Sequence, residues 1–458
     1  MFLKSRFVVI DDKKSHLKGI KDTLNELRLD CHAKHYTDES VSEWQKLPSA
    51  RILFMDQNLT TGSTFGTGNK VAFTAIADVI QKLICPDSGP YGIVLWAEKP
   101  EVENLKEFLF ERFTGADAKL LPVFMTELQK GMYIDTQTGD VRNADKLQID
   151  LRDRMSTSPQ MKALFAWEAD VFAAADAVLR SIVNLVPLEK RASTEFEQEL
   201  GRVFYRLAQA GAGANRAREN PREAVNRVLG PILADRIAEH DPEGGAGDEW
   251  NVALVDPLQN ERHASVSVQA AVNSAIHQSF ARAERSAPIQ PADLGAVLEF
   301  PFENVDDSLN EYFGIDRDVI ASDKFFGLQE ADWDNCFLRL VQIGAACDHA
   351  QPKKGPLLYL LALEWAFCND DGSKTDGVTF HSGKSMKSGL EWRSPTLLVG
   401  PESSAGKLSA FLNCTHSASR EAVKDWKPVY RLREELISTI TQEYARHISR
   451  PGIVTLGP

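Results

Sequence analysis

The sequence predicts a mixed α/β protein in which an N-terminal doubly wound parallel sheet is followed by a helical middle and an α+β C-terminal domain with a small barrel or curled sheet. Three observations support this fold class. Short apolar runs alternate with amphipathic stretches near the N-terminus, apolar residues recur at three- and four-residue intervals after Ser156, and extended and helical patterns mix after residue 249. The expected domains are therefore 1–135, 150–240 and 249–458.

Four strand-like runs separated by helical patterns predict the N-terminal domain. The strands are expected at Phe7–Ile10, Arg51–Met55, Tyr91–Leu95 and Leu120–Met125, and the helices at Lys14–Leu29, Val71–Leu83 and Val102–Phe113. The strand runs are predominantly apolar, and the helical stretches repeat apolar residues at helical spacing. This alternation implies parallel strands with helices on both faces, and it places binding sites at the carboxyl ends of the strands.

Aspartates stand at the ends of two of these strands. Asp11 and Asp12 follow the first strand, and Asp56 follows the second. Three carboxylates that meet at one sheet edge repel one another, and a hard divalent cation such as Mg²⁺ would relieve that repulsion. The alternative is that Asp11 and Asp12 cap the helix that follows them. The strand-end positions favour the metal site.

Three segments of this region resemble the receiver domains of response regulators, which have a flavodoxin-like fold. Val8–Asp12 is similar to the family's first strand with its acidic pair, Leu53–Leu59 to its phosphoacceptor strand and turn, and Ile93–Ala97 to its fourth strand. The resemblance implies that Asp56 is the phosphoacceptor and that the three aspartates bind Mg²⁺. It also implies a role in signal transduction through a phosphorelay, with a histidine-kinase-like ATPase as partner.

The sequence also departs from the family's pattern. Trp96 stands where the family has Thr or Ser, and Thr126 or Glu127 stands where the family has the lysine at the end of its fifth strand. The glycine-containing loop 60–69 is longer than usual and lacks the full spacing of a P-loop, so it is interpreted as an insertion. These departures predict a degenerate receiver that binds a cation or serves as a docking surface. They also predict poor or no phosphorylation of Asp56.

The middle of the chain has the pattern of long helices. One helix is expected over Gln160–Val186, and the capping-box pattern Thr194–Glu197 is expected to open a second helix that Gly211 and Gly213 end. Asp241–Asp248 has the composition of a linker. The most basic stretch lies here but carries no aromatic stacking platform, which favours a solvated face or a protein interface over nucleic acid. Its arginines are Arg202, Arg206, Arg216, Arg218, Arg222 and Arg227.

The C-terminal domain combines extended and helical patterns. Strands are expected at Trp250–Val255, Ala296–Phe300, Asn335–Ile343, Leu357–Leu363, Pro395–Val399 and Leu408–Asn413, and helices at His263–Arg282 and Leu432–His447. Several strands with few intervening helices are typical of a small barrel or curled sheet.

Two Cys-x-His triplets are candidate zinc ligands in this domain. Cys347 and His349 form one pair, and Cys414 and His416 form the other. Two thiolates and two imidazoles make a tetrahedral Zn²⁺ set, and residues i and i+2 of a strand point to the same side. Against this, one intervening residue is not the usual finger spacing, and buried cysteine often acts as a small hydrophobe. The second interpretation, core residues without zinc, is slightly favoured.

Composition limits the classes of function. The formal net charge of the 458-residue chain is −13, which argues against non-specific coating of nucleic acid. The six cysteines are too sparse for a disulfide scaffold, and no signal-peptide layout or apolar run of membrane-spanning length appears. We therefore expect a cytoplasmic protein without membrane contact.

Two functions fit these observations best, and a third, a C-terminal DNA-binding output, is disfavoured by the acidic charge and the lack of a terminal helix-turn-helix pattern. The first is a signalling or scaffold protein, not an enzyme, whose receiver-like domain is coupled to a C-terminal output or protein-interaction domain in a bacterial two-component or antiviral (anti-phage) defence system. The second is a receiver-regulated hydrolytic effector, a nuclease or metal-dependent hydrolase. Its candidate ligands and bases are Asp256, Glu261, His263, Asp348, His349 and His416. The first is favoured because no complete catalytic motif appears.

Overall fold

The computed structural model describes residues 6–26, 30–47, 49–59, 70–86, 89–156, 158–192, 194–239, 247–254, 266–280, 288–321, 333, 336–344, 355–366 and 390–449. The chain divides into two compact units. The first contains residues 1–173 and 240–255, and the second contains residues 174–239 and 256–458. The predicted domain limits at 135, 150–240 and 249 stay predictions.

The first unit is built on a five-stranded sheet. Its strands are β1 Phe7–Asp11, β2 Cys31–His35, β3 Ile52–Asp56, β4 Gly92–Ala97 and β5 Phe124–Gln129. All neighbours are parallel, in the order β2-β1-β3-β4-β5. The helices are α1 Lys14–Glu26, α2 Asp38–Glu43, α3 Lys70–Leu83, α4 Val102–Arg112 and α5 Ala144–Ser156. This is the doubly wound arrangement that the sequence predicts.

Each face of the sheet has its own apolar core. Alternate strand residues such as Leu53 and Leu95 pack with α3 and α4 on one face. The intervening residues, among them Phe54 and Trp96, pack with α1 and α5 on the other face. Because both faces are covered, β1, β3 and β4 are almost fully buried, which explains why their sequences are continuous apolar runs.

The fifth strand lies further along the chain than predicted. Residues Gly115–Leu120 form a 3₁₀ helix, and β5 begins only at Phe124. Pro122 stands within the predicted strand Leu120–Met125, and a proline cannot donate a backbone hydrogen bond to the sheet. The prediction of this strand is therefore wrong by four residues at both ends, which changes the residue that follows it.

A hairpin after β5 packs directly on α1. Ile134 and Val141 form an antiparallel bridge, and Gly139 between them has a φ of +82°. A Cβ on Gly19 of α1 would lie 2.1 Å from the carbonyl oxygen of Gly139, so the two backbones approach closely only because glycine occupies both positions. We call residues 134–141 the β5 hairpin.

Two further helices complete the first unit. The N-terminal half of α6, Pro159–Asn184, is fixed by Glu168, which pairs with Arg6 and, at 2.9 Å, with Arg51. The segment predicted as strand Trp250–Val255 instead begins within helix α10, Gly247–Ala253, so that prediction is wrong. Four to six apolar residues have no periodicity that separates a short strand from a short helix.

The helices of the second unit follow α6. They are α7 Leu188–Arg191, α8 Phe196–Glu219, α9 Pro221–Ala238, α11 Val266–His277, α12 Val305–Phe313, α13 Arg317–Ala321 and α14 Glu434–Ile448. The predicted capping box is wrong, because α8 begins after Glu195 without a side-chain cap. The helix also continues past Gly211 to Glu219, and Gly213 interrupts it with a φ of 76°.

An antiparallel sheet forms the core of the second unit. Its strands are β6 Gln278–Ser279, β7 Ala296–Glu299, β8 Cys336–Ile343, β9 Leu357–Ala366, β10 Glu391–Arg393, β11 Leu397–Val399, β12 Ser404–Ala418 and β13 Pro428–Leu432. The order is β10-β12-β9-β8-β7-β13-β6, and β11 also pairs with β12. A register shift between Ala410 and Thr415 accompanies the curl of the sheet. The curled C-terminal sheet is therefore as predicted. Within the described residues no helix is long and apolar enough to cross a membrane.

A buried ion pair lies on one face of this sheet. Arg339 of β8 donates to Glu364 of β9 from Nε and Nη2, each at 2.9 Å from Oε2. Glu364 is fully buried, and its second oxygen has no hydrogen-bond partner in the described part of the chain. Since removal of one partner would leave the other charge buried alone, we expect the sheet to depend on this pair.

Replacement of Arg339 by Met should destabilise the second unit by about 3–5 kcal/mol, because Glu364 would stay buried without its partner. Hydrogen exchange of the β8 and β9 amides in the full chain at increasing denaturant measures this loss. The double variant R339M/E364L should recover part of it. In the control R446M, which removes an exposed arginine 3.7 Å from Glu443, the loss should stay below about 1 kcal/mol. An equal loss in R339M and R446M would contradict the assignment.

Candidate metal centre

The parallel sheet brings three aspartates to one edge. Asp11 ends β1, Asp12 follows it, and Asp56 ends β3, the strand that pairs directly with β1. One carboxylate oxygen from each lies within 4.8 Å of the others, and no other group of three or more potential metal ligands comes so close among the residues described. The carboxyl ends of adjacent parallel strands meet here, as the strand pattern implies.

A lysine that the sequence analysis missed completes this pocket. Lys130, the first residue after β5, donates from Nζ to Asp11 Oδ2 at 2.7 Å and to Asp56 Oδ2 at 2.9 Å. It is 3% exposed. The expectation that Thr126 or Glu127 replaces the lysine is therefore wrong. Those two residues lie within β5, and correct placement of the strand after Pro122 would have identified Lys130 as the residue at its end.

His16 of α1 provides the third acceptor for this ammonium group. Its Nε2 lies 2.9 Å from the carbonyl oxygen of Thr136 in the β5 hairpin, and its Nδ1 lies 3.2 Å from Lys130 Nζ. A carbonyl oxygen only accepts, so Nε2 carries the hydrogen and Nδ1 of the neutral ring accepts from Lys130. All three N–H groups of Lys130 are thus used. Asp11 Oδ1, 3.6 Å from Nδ1, raises the pKa of His16, and protonation of the ring would remove this acceptor.

The charges in the pocket do not balance. Three carboxylates face one ammonium group. Burial would raise the pKa of Asp11, but the neighbouring His16 imidazole and the charge and hydrogen bond of Lys130 outweigh it and lower that pKa. Burial raises the pKa of Asp56 in spite of Lys130. Burial, together with the charges of Asp56 and Asp11, raises the pKa of Asp12 to about 6. A bound cation would relieve this excess of negative charge.

The donor set fits a hard divalent cation. Oδ1 of Asp12 is buried and accepts no hydrogen bond from any described residue. Among the described residues, Asp56 Oδ1 accepts a 3.3 Å bond from the backbone amide of Asn58 and no other, while Lys130 occupies the other oxygen. Carboxylate oxygens are the ligands that Mg²⁺ and Ca²⁺ prefer, and both ions tolerate water in their remaining positions. The pocket can therefore hold a divalent cation, although its oxygens do not discriminate among such ions.

Trp96 lies beside the pocket on the same face of the sheet as Asp56. The two residues are register partners in β4 and β3. The indole is 1% exposed and stacks on Tyr133, with ring centroids 5.4 Å apart and planes at 25°. The Tyr133 hydroxyl donates to Asp150 of α5. The position that carries a hydroxyl in the receiver family therefore holds a buried aromatic stack.

The zinc candidates in the second unit are only partly described. Cys414 lies in an apolar cluster, and burial raises the pKa of its thiol to about 11. His416 is surrounded by the rings of Phe302, Tyr312, Phe313 and Trp426. These surroundings resemble a hydrophobic core, but Cys347 and His349 lie outside the described residues, so the zinc site stays a prediction. The candidates Asp256, Glu261, His263 and Asp348 also lie outside them.

Comparison with known proteins yields a likeness to a solved structure. No family model matches the chain, and no curated protein matches it. A solved response regulator protein from Burkholderia pseudomallei, with a phosphorylated aspartic acid, a calcium ion and citrate, is similar over 38% of this chain and 92% of its own, with 14% sequence identity and a TM-score of 0.18. The N-terminal five-stranded sheet is receiver-like in its topology. At this score the match carries no argument about chemistry, which rests on the residues of the pocket itself.

The affinity for a divalent cation should fall as the pH is lowered through about 6, because the raised pKa of Asp12 puts its protonation there and a protonated carboxyl does not bind the ion. The decrease should approach tenfold per pH unit below that value. Calorimetric titration with Mg²⁺ and Ca²⁺ at pH 7.5 and 5.0 measures it.

The matched control is Asp12→Asn. This variant should bind more weakly at pH 7.5 and lose most of the pH dependence near 6, whereas a variant of the exposed Asp117 should behave as the natural chain does. Equal affinities at the two pH values in the natural chain would exclude Asp12 as a ligand.

Proposed function

We propose that the N-terminal unit is a signalling receiver that binds a divalent cation between Asp11, Asp12 and Asp56 and accepts a phosphoryl group on Asp56. The observation that carries the proposal is the hydrogen bonding of Lys130 to both Asp11 and Asp56 beside an excess of carboxylate charge. The absence of a lysine was one of two reasons to expect poor phosphorylation of Asp56. The presence of Lys130 removes that reason.

The acceptor chemistry follows from the pocket. An Asp56 oxygen attacks the phosphorus of a phosphodonor, the bond between phosphorus and the donor's leaving group breaks, and an acyl phosphate forms. Lys130, held by Asp11 and His16, can turn its donor from Asp56 Oδ2 to a phosphoryl oxygen. Asp11 and Asp12 would hold the cation, whose chemistry is neutralisation of the phosphoryl charge.

The response to phosphorylation is proposed to differ from that of a conventional switch. Trp96 has no hydroxyl that could follow the phosphoryl group, and its ring is packed between Phe54 and Tyr133. A polar link from the pocket to its surroundings is provided by His16, which joins Lys130 to Thr136 in the β5 hairpin. A change at Asp56 would therefore reach the hairpin and α5 rather than a hydroxyl at the end of β4.

The role of the rest of the chain is proposed from the resemblance. The second unit would be the output or interaction domain, the partner a histidine-kinase-like ATPase, and the setting a bacterial signalling or anti-phage system in the cytoplasm. The hydrolytic alternative gains no support, because five of its six candidate residues lie outside the described parts of the chain and His416 lies among aromatic rings.

Incubation with acetyl phosphate and Mg²⁺ should phosphorylate Asp56, with the product seen on a phosphate-affinity gel and absent in D56N. Lys130→Met should slow the reaction about 100-fold, since it removes the cation that meets the developing charge. The same variant should bind Mg²⁺ at least as tightly as the natural chain, because a competing positive charge is gone.

The control for this experiment is Lys106→Met, which removes a half-exposed lysine on α4 and should change neither rate nor affinity. If the natural chain binds Mg²⁺ but incorporates no phosphoryl group, the unit is a cation-binding docking domain and the acceptor role is wrong. Loss of Mg²⁺ binding in K130M would indicate a damaged fold and calls for K130R, which keeps the charge.

Binding of Mg²⁺ should also quench or shift the fluorescence of Trp96, because the indole is buried beside Asp56. The chain has eight tryptophans, so the signal is the difference between the natural chain and Trp96→Phe. An identical Mg²⁺ response in the two proteins would show that the signal arises elsewhere.

A further inference from the structure

The second unit contains an arginine-lined cavity of about 660 Å³. Its walls come from α8, α9, the segment 290–294 before β7, and the junction of β13 with α14. The side chains that line it include five arginines and three carboxylates: Arg216, Arg227, Arg420, Arg431, Arg433, Glu223, Asp293 and Glu434. A volume of this size lies within the range of small-molecule sites in proteins.

The carboxylates in the cavity do not neutralise the arginines. Arg216 and Arg227 both pair with Glu223, at 2.9 and 3.0 Å, and Arg216 also lies 3.7 Å from Glu219. The other three arginines have no carboxylate oxygen within 4 Å among the described residues, and Arg433 donates only to the backbone oxygen of Gln278 at 3.3 Å. Three guanidinium groups without a carboxylate partner in the described chain thus stand around one cavity with two carboxylates, Asp293 and Glu434, that pair with none of them.

The arrangement favours an anionic ligand with oxygen atoms that can accept paired hydrogen bonds. Like charges gathered in a concave site repel one another, and a bound anion reverses that cost. Guanidinium groups bind phosphate through paired N–H donors, which makes arginine more selective for phosphate than a point charge.

The acidic residues restrict the ligand further. Asp293 accepts from the amide of Gln290, and Glu434 lies in the first turn of α14. They would repel a phosphate placed against them, so the phosphates are expected at the arginines, and the carboxylates can accept hydrogen bonds from hydroxyl or amino groups where the ligand carries them. Leu294, Leu432 and Ile437 supply an apolar part of the wall.

We propose that this cavity binds a small molecule that carries two adjacent phosphate groups. Arg420, Arg431 and Arg433 contact the phosphates, and Asp293 and Glu434 face any hydroxyl or amino group that the ligand carries. Two classes of ligand carry such groups, nucleoside diphosphates and inorganic oligophosphates. The site is independent of the proposed function of the first unit.

Calorimetric titration of the full chain with ADP and with pyrophosphate tests the proposal. EDTA is included so that no divalent cation can bridge a phosphate to the acidic pocket of the first unit, and salt is kept at physiological strength to suppress non-specific binding. We expect saturable binding of at least one probe. Tighter binding of ADP identifies the nucleotide as the source, and equal or tighter binding of pyrophosphate identifies the oligophosphate.

The variant R420Q/R431Q should weaken binding at least about tenfold, because two charge-assisted contacts are lost. Both side chains are exposed and have no ion-pair partner in the described chain, so their removal should not alter the fold. The affinity of R420K/R431K, which keeps the charges but not the paired donors, should lie between that of the natural chain and that of R420Q/R431Q. The control R446Q removes an exposed arginine of α14 outside the cavity and should bind as the natural chain does. Absence of saturable binding, or equal affinity in R420Q/R431Q and R446Q, would overturn the proposal.

Discussion

The ammonium group of Lys130 is the interaction on which the N-terminal site depends. Asp11 and Asp56 stand on neighbouring strands and are buried, and two adjacent buried carboxylates would destabilise the sheet edge unless a cation lay between them. Lys130 bonds to both, and His16 uses its last N–H group. The same ammonium group that makes the fold tolerate these charges is therefore the group that a phosphoryl oxygen would meet.

Because Lys130 supplies a single positive charge, the pocket is incompletely neutralised. This excess of negative charge favours the binding of a divalent cation. Had two lysines faced the three aspartates, the site would have little affinity for a divalent ion. With one, the Asp12 carboxyl keeps a raised pKa and a buried oxygen that accepts no hydrogen bond within the described part of the chain. The folded chain thus stores unfavourable charge repulsion that a metal ion can relieve, at the cost of weaker folding in its absence.

The second unit handles buried charge differently. Arg339 and Glu364 neutralise each other within the curled sheet, and the Tyr430 hydroxyl lies close enough to Glu364 for burial and that charge to raise the pKa of the tyrosine. This pair balances, so it specifies strand register without calling for a ligand. The arginine-lined cavity does not balance, and that difference is why it, and not the ion pair, is proposed as a binding site.

Much of the first unit could be predicted from the sequence alone. Apolar runs such as Val8–Ile10 and Leu53–Met55 are buried on both faces of a parallel sheet, so hydrophobicity alone marks them. The meeting of the strand-end aspartates follows from the parallel order without any contact being known. By contrast β2, with the sequence Cys31–His35, is a polar edge strand that only its pairing with β1 defines. Edge strands carry little hydrophobic signal, so they escape sequence analysis.

Only the tertiary structure decided which charged groups lie close enough to pair. The sequence determined that three carboxylates stand at strand ends, since that is a property of local pattern. The identity of their counter-ion depended on where β5 ends, and Lys130 follows Asp11 by 119 residues. His16 likewise has no motif of its own, and its role arises only because Gly19 lets the β5 hairpin approach α1. Long-range electrostatic partners are set by packing, and no local pattern of residues encodes them.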